Sequence, residues 1–317
     1  MDLTVIVPIY NEEESIPELT EWINKVCTSN NLSFEVILID DGSSDRSWEN
    51  IQIAAEKNKF IKGFRFRRNY GKAAALHTGF MEATGDVVIT MDADLQDSPD
   101  EIPELMKMIT DDGYDMISGW KKKRYDPSVK RITSRFYNAT ARWSSGSKLH
   151  DFNCGLKAYR QEVVKNIEVF GEMHRYIPML VLEAGYTNIG EKIVEHRPRK
   201  YGVTKYGLDR FIKGYLDLLT IGFITRFGKS PMHFFGSIGS IMFLIGFVMA
   251  GYLGIRKLIY INHNLKAPLV TDSPFFFIAL TVMIIGSFLF LTGFLAELIT
   301  RSSYDRNRYQ IKDRVNI

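Results

Sequence analysis

The apolar positions of this chain keep one rhythm for about two hundred residues and then change it. Thr4-Val-Ile-Val-Pro-Ile-Tyr-Asn11 is a strand-length apolar run ending in turn residues, and the acidic stretch Glu12-Glu-Glu-Ser-Ile-Pro-Glu18 then opens a helix. Phe34-Glu-Val-Ile-Leu-Ile-Asp-Asp41 repeats the pattern and is closed by Gly42-Ser-Ser-Asp45, with a second helix from about Arg46. A third unit starts at Ile61-Lys-Gly-Phe-Arg-Phe66, passes through Arg68-Asn-Tyr-Gly-Lys72 and enters an alanine-rich helix over 73–83. Asp86-Val-Val-Ile-Thr-Met91 is a fourth apolar run. Strands alternating with helices predict an α/β fold with a mainly parallel sheet whose strand ends line one crevice.

The carboxyl-terminal third is built differently. Phe234 to Ile255 carries no charge and would make roughly 33 Å of helix against a hydrocarbon thickness of about 30 Å. Phe275 to Leu295 is a second such run, with Glu297 near its end and Arg301 beyond it. Both are expected to span a membrane, since the rest of the chain lacks the amphipathic partners needed to bury two such helices. Leu208 to Phe227 mixes eleven large apolar side chains with Arg210, Lys213, Asp217 and Arg226, a composition that suits a helix lying in the membrane interface and also one packed on the sheet. The expected division is a catalytic domain over 1–207, interface helices over 208–233, two transmembrane helices with their loop over 234–300, and a basic tail over 301–317. The tail holds Arg301, Arg306, Arg308, Lys312 and Arg314, and the loop between the spans holds Arg256, Lys257 and Lys266. This bias predicts a multi-pass inner-membrane protein with its catalytic domain and carboxyl terminus in the cytoplasm.

Charge and cysteine content narrow the field. A net charge of +3 on 317 residues does not indicate nucleic-acid binding, and the mean hydropathy of −0.10 averages two unlike parts. Cys27 and Cys154 are too few and too far apart for a disulfide framework or a metal cage, so a reducing compartment is expected. The run at Thr4 holds a proline and lacks a basic lead, unlike a cleavable secretory signal.

The chemistry gathers at Asp92-Ala-Asp-Leu-Gln-Asp97, directly after the fourth apolar run. Extended alternation would point Asp92 and Asp94 to one side, an arrangement suited to a hard divalent cation, Mg²⁺ or Mn²⁺, whose remaining coordination comes from substrate phosphates. Further on, Lys130, Arg131 and Arg135 are cations available to an anionic acceptor. On a helix Arg131 and Arg135 share one face with Ser134 adjacent, which makes a phosphate clamp or a solvated surface stripe.

Four motifs in order, Val-Pro-Ile-Tyr-Asn-Glu12, Ile-Asp-Asp-Gly-Ser-Ser-Asp45, Arg68-Asn-Tyr-Gly-Lys72 and Asp92-Ala-Asp-Leu-Gln-Asp97, resemble the family 2 glycosyltransferases of GT-A type. His150-Asp-Phe-Asn-Cys-Gly-Leu-Lys-Ala-Tyr-Arg160 and Tyr201-Gly-Val-Thr-Lys-Tyr-Gly207 resemble that family's polyprenyl-phosphate branch, which includes dolichol-phosphate mannose synthases and bacterial undecaprenyl-phosphate sugar transferases. The resemblance implies metal-dependent, inverting transfer of one sugar from a UDP- or GDP-linked donor to a polyprenyl phosphate, and allows a homo-oligomer. It places Pro8, Tyr10, Glu12 and Asp41 around base and ribose, Asp92 and Ala93 in the nucleotide site, and Gln96 beside Asp94 and Asp92 at the metal. It also sets Lys121 toward the donor, although the Lys-Lys-Lys-Arg run there equally suits a solvated face. Lys205 would close over the diphosphate, and His174 is either near the sugar or structural.

Asp151 takes the family's third acidic position, where a base sits when the acceptor is a hydroxyl. A lipid monophosphate is mostly dianionic at neutral pH, with a second pKa of about 6, and has no proton to lose. Asp151 is therefore expected to orient the acceptor or a basic side chain, with Asp94, Asp92 and Arg131 carrying the reaction. A polysaccharide synthase with a hydroxyl acceptor would carry Gln-x-x-Arg-Trp, whereas this chain has Ala139-Thr-Ala-Arg-Trp143. A non-catalytic membrane scaffold is the other alternative, against which the intact Asp92, Asp94 and Gln96 stand.

Overall fold

The computed structural model describes residues 1–122, 149–171, 173–198, 200–201, 227, 231–266, 269–302 and 311–316. It divides into two compact units, one of residues 1–218 with 306–317 and the other of residues 219–305.

The first unit holds one sheet. Its strands are β1 (Leu3–Ile9), β2 (Phe34–Asp40), β3 (Ile61–Phe66), β4 (Val87–Thr90), β5 (Met116–Trp120), β6 (Lys157–Arg160), β7 (Ile189–Ile193) and β8 (Ile311–Val315), in the spatial order β7-β5-β6-β4-β1-β2-β3-β8. The block β4-β1-β2-β3 is parallel, as the alternating pattern predicts, while β6 runs antiparallel to both β4 and β5, and β8 antiparallel to β3. All seven residues of β2 are buried, the mark of a strand covered on both faces. Between the strands run α1 (Ile16–Ser29), α2 (Ser47–Lys57), α3 (Lys72–Glu82) and α4 (Ile102–Thr110), followed by the short α5 (Gln161–Asn166) and α6 (Ile177–Glu183). In α1 the buried set Ile16, Leu19, Thr20, Ile23, Val26 and Cys27 recurs at helical spacing and faces the sheet core.

Two local features open the crevice. Pro8 sits in a central strand, where a missing N–H would ordinarily break a ladder. Here β4 stops pairing opposite Ile6, so on that side β1 projects past its neighbour and the proline has no partner from β4, while β2 continues beside it with Ile39 opposite Pro8. The chain then turns away from β4, with Leu95 at φ 57.

Within the basic tail, Ile311–Val315 adds an edge strand beside β3, pairing from Gly63↔Val315 to Phe66↔Ile311 with a register shift between Arg65 and Phe66. Asn316 secures it, its Nδ2 donating to the Ala55 and Ile61 carbonyls at 2.9 and 3.0 Å. This pairing covers an otherwise open sheet edge.

In the second unit α7 (Pro231–Asn262) and α8 (Pro274–Ser302) outrun the apolar cores read from sequence, and both are long and apolar enough to cross a membrane, their apolar 18-residue stretches having mean hydropathy 2.1 and 2.5. They pack closely where small residues meet. A Cβ on Gly239 would stand 2.5 Å from the Gly286 carbonyl oxygen, and one on Gly246 2.6 Å from that of Ala279. Their other faces present apolar side chains such as Leu244, Val248, Phe288 and Leu298 outward. The interface helices expected over 208–233 lie outside the described residues except at Phe227 and the first turn of α7.

Candidate active site

The four motifs are neighbours because each one holds the next. Asn11, at φ 53, accepts the Ser44 N–H on Oδ1 at 2.8 Å, while its own N–H donates to Ser43 Oγ. Glu13 accepts the Arg46 N–H, so the first and second βα turns are stitched together. The second turn grips the third: Asp41 takes the Tyr70 N–H at 2.7 Å and the Gly71 N–H at 2.9 Å. Gly42 lies so close to that strand exit that a Cβ would fall 2.5 Å from the Arg68 carbonyl carbon. Lys72 then forms an ion pair with Asp92, joining third motif to fourth. Asp92 in turn lies against Gly155, where a Cβ would stand 2.5 Å from its carboxyl carbon. Thr90 Oγ1 donates to the Gly155 carbonyl at 2.9 Å, fixing the Asp-Phe-Asn-Cys-Gly turn to the end of β4.

These contacts frame a crevice of about 320 Å³ at the carboxyl ends of β1, β2 and β4. Pro8, Tyr10, Glu12, Asp41, Asp92, Ala93 and Asp94 all line it, together with Ile9, Asn69, Gly71 and Lys72. Asp92 and Asp94 share it through a turn rather than through strand alternation, since β4 ends at Thr90.

Electrostatics separate the two carboxylates. Burial works against ionising Asp92, but Lys72, Lys121 and Lys157 more than offset it and hold its pKa well below the usual range. Asp94 is pushed the other way, by burial first and then by the negative charges of Asp92 and Asp97. A half-buried carboxylate near two others is a position that gains from a cation. Among the described residues no three metal-ligating side chains form a cage. That fits a hard cation held by one or two carboxylates and completed by substrate phosphates. Asp94 suits direct ligation, whereas Asp92 is already engaged by Lys72. Gln96 is partly committed elsewhere, its Nε2 donating to the Arg197 carbonyl at 3.3 Å while the Arg197 N–H donates back to the Gln96 carbonyl.

Lys121 does not lie on a solvated face. Its ammonium lies 2.6 Å from Asp97, with side-chain exposures of 11% and 0%. Burial opposes its charge, yet the Asp97 carboxylate raises its pKa above that of an ordinary lysine. It is thus an internal counter-ion to the Asp92–Asp97 loop, not part of a solvated run. Asp151 is buried; its Oδ1 accepts the Asn153 N–H at 3.1 Å, and Glu191 accepts its backbone N–H. The pKa of His174 is pushed well below the usual histidine range, by burial first and then by Lys72 and Arg175. Cys27 and Cys154 are both buried thiols, and burial raises each to about 12. Arg131, Ser134, Arg135 and Lys205 lie outside the described residues.

Three contributors escaped the sequence reading: Lys72, Asp97 and Lys157, the last buried with its ammonium on the Cys154 carbonyl. Lys72 and Asp97 left local signs, as the last residues of the third and fourth motifs, and Lys157 sits among the residues 150–160 quoted for the polyprenyl-phosphate branch.

Residues 4–168 match the glycosyl transferase family 2 profile. The chain is a family 2 glycosyltransferase. It is 35% identical over 309 residues to a dodecaprenyl-phosphate galacturonate synthase of Rhizobium johnstonii, covering 96% of this chain and 89% of the relative. It is 36% identical over 319 residues to an undecaprenyl-phosphate 4-deoxy-4-formamido-L-arabinose transferase of Pectobacterium carotovorum, covering 99% of this chain and 94% of that one. Among solved structures, glucosyl-3-phosphoglycerate synthase from Mycobacterium tuberculosis, in a complex with Mn²⁺, UDP and glucosyl-3-phosphoglycerate, superposes with a TM-score of 0.56 at 18% identity. That match covers 72% of this chain and 80% of the other, and shows a shared fold. The glycosyltransferase thus joins a GT-A-type sheet to two apolar helices, and its relatives align along nearly its whole length.

Proposed function

We propose that this glycosyltransferase moves one sugar from a nucleotide diphosphate sugar to a polyprenyl phosphate at the cytoplasmic face of the membrane. The observation that carries the reading is the near-complete alignment with relatives whose names specify dodecaprenyl and undecaprenyl phosphate. Those names share the acceptor class but carry two different sugars at almost equal identity. The acceptor, not the sugar, is therefore what the likeness supports.

A phosphate dianion attacks without giving up a proton, so the site needs cations more than a base. Asp151, buried and turned onto its own loop through the Asn153 N–H, is suited to shaping that loop. Arg131, Ser134 and Arg135 are assigned to the acceptor phosphate on sequence grounds, and Lys205 to the donor diphosphate. Pro8, Tyr10, Glu12 and Asp41 form the nucleotide end of the crevice and Asp94 its diphosphate end. Mg²⁺ or Mn²⁺ held by Asp94, with Gln96 and Asp92 nearby, would supply Lewis-acid stabilisation of the departing diphosphate.

The decisive assay incubates the detergent-solubilised full-length chain with undecaprenyl phosphate, Mn²⁺ or Mg²⁺ and a panel of UDP- and GDP-sugars, and weighs the lipid product. One sugar added to the lipid phosphate is expected, with Asp94→Asn abolishing transfer while membrane insertion persists. Transfer to a saccharide hydroxyl without lipid phosphate would overturn the acceptor assignment, and near-normal turnover of Asp94→Asn in saturating Mn²⁺ would overturn the metal assignment.

A further inference from the structure

The strand order of the sheet runs from β2 and β1, where the crevice opens, to β4 with its carboxylates, and then to β6, β5 and β7. A sugar hangs from the far phosphate of its nucleotide, so on the donor reading above it extends past Asp92 and Asp94 toward β6 and β5. Strand β6 pairs with both β4 and β5 and sets Thr90, Lys157 and Ser118 in one row. Asp92 and Trp120 each follow two residues later at the same end of the sheet, and β4 and β5 are two strand spacings, about 10 Å, apart. The Asp151–Gly155 turn lies between them. Gly155 stands against Asp92, and Ser118 Oγ donates to the Asp151 carbonyl at 3.2 Å.

On the β5 side of this turn is a stacked pair. The Trp120 and His150 rings lie 4.2 Å apart and 11° from parallel, and the Lys122 ammonium adds a cation–π contact to the indole at 5.8 Å. Glu191 of β7, opposite Ser118, fixes the imidazole from its edge. Its Oε1 accepts the His150 and Asp151 N–H groups at 2.8 and 2.9 Å, and its Oε2 lies 2.7 Å from His150 Nδ1. A carboxylate only accepts, so Nδ1 carries the proton there and Nε2 is left on the other edge of the ring. The Glu191 side chain is 13% exposed, whereas that of His150 is 56% exposed. Holding an exposed ring by both face and edge adds little to a core it does not enter; it pre-forms a contact surface.

Resting on the donor reading, we propose that His150 is a specificity-determining contact of the donor sugar, its Nε2 hydrogen-bonding a sugar hydroxyl. Trp120 and Glu191 are the positioning residues that hold the imidazole. The contact is made to the sugar alone, because base, ribose and diphosphate are served by the ends of β1, β2 and β4.

The test measures, by calorimetry on the solubilised full-length protein in Mn²⁺, the affinity for free UDP or GDP and for the UDP- or GDP-sugar that the wild type transfers to undecaprenyl phosphate. His150→Ala is expected to weaken binding of the nucleotide sugar by about fivefold, the scale of one neutral hydrogen bond, while the free nucleotide binds as in wild type. Trp120→Leu removes the stack and should give a smaller loss of the same kind, most of it restored in Trp120→Phe. Across a panel of nucleotide sugars His150→Ala should also lose selectivity, through KM more than kcat. An equal loss of affinity for both ligands would show a purely structural role, and unchanged sugar-nucleotide affinity with an unchanged ranking of sugars would show that no contact is made. Either result overturns the inference and leaves the donor reading standing. If the wild type transferred a sugar from none of the nucleotides, the donor reading itself would fall, and this inference with it.

Discussion

Glu35 and Asp41 stand at opposite ends of β2, both buried and of opposite thermodynamic sign. Burial disfavours the charge of Glu35, but the Lys62 ammonium at 2.8 Å and hydrogen bonds from Thr4 and Thr84 win, and its pKa is lowered. Its stabilising share is present above the unfolded value of about 4.3 and is lost as pH falls below it. In Asp41 burial wins, aided by neighbouring Asp40, against the N–H donors of Tyr70 and Gly71, and the pKa is pushed up to about 6. An unfolded aspartate titrates near 3.9. Between those values the native state keeps a proton that the unfolded chain has released, so Asp41's share of stability declines as pH rises from about 4 through about 6 and is level above. The stability of wild type minus that of Asp41→Asn, measured by thermal unfolding across this range, should therefore shrink with rising pH. A difference that grew instead would mean that the two backbone donors outweigh burial.

At the scale of elements, local pattern and distant pairing part company. The four parallel strands and the helices between them are legible because each announces itself within a short window: an apolar run, turn residues, an acidic or alanine-rich start. Asp92 and Asp94 are legible for the same reason. The strands β5, β6 and β7 are short and half-polar, and β8 hides in a charged tail, so only the sheet that receives them reveals them. Lys72 on Asp92 and Lys121 on Asp97 depend on which strand ends are brought side by side, a property of strand order that no single window contains. Truncation before Ile311 tests the contribution of the last strand. Loss of the β3 pairing and of the Asn316 caps should cost about 1–3 kcal/mol, or roughly 2–10 °C in the unfolding midpoint of the catalytic unit. Since β8 borders β3 and the crevice is formed at β1, β2 and β4, nucleotide binding at low temperature should survive. An unchanged midpoint would show that the strand contributes nothing to the fold.

For the molecule as a whole, β8 imposes a condition that hydropathy alone does not. It follows both apolar helices in the chain yet hydrogen-bonds to β3, which precedes them. A chain whose first and last segments share one sheet has its two ends on one side of any membrane it enters, so its crossings are even in number. Two helices of spanning length meet that condition, and the excess of positive charge beyond the second helix favours the cytoplasm for the shared side. The native cysteines are both buried, which leaves introduced thiols as clean reporters. In spheroplasts, His263→Cys, exposed between the two helices, should react with a membrane-impermeant maleimide. A cysteine appended after Ile317 should react only once the membrane is opened. Labelling of both sites from outside would rule out two crossings, and labelling of the appended cysteine alone would reverse the orientation and with it the cytoplasmic supply of the nucleotide sugar.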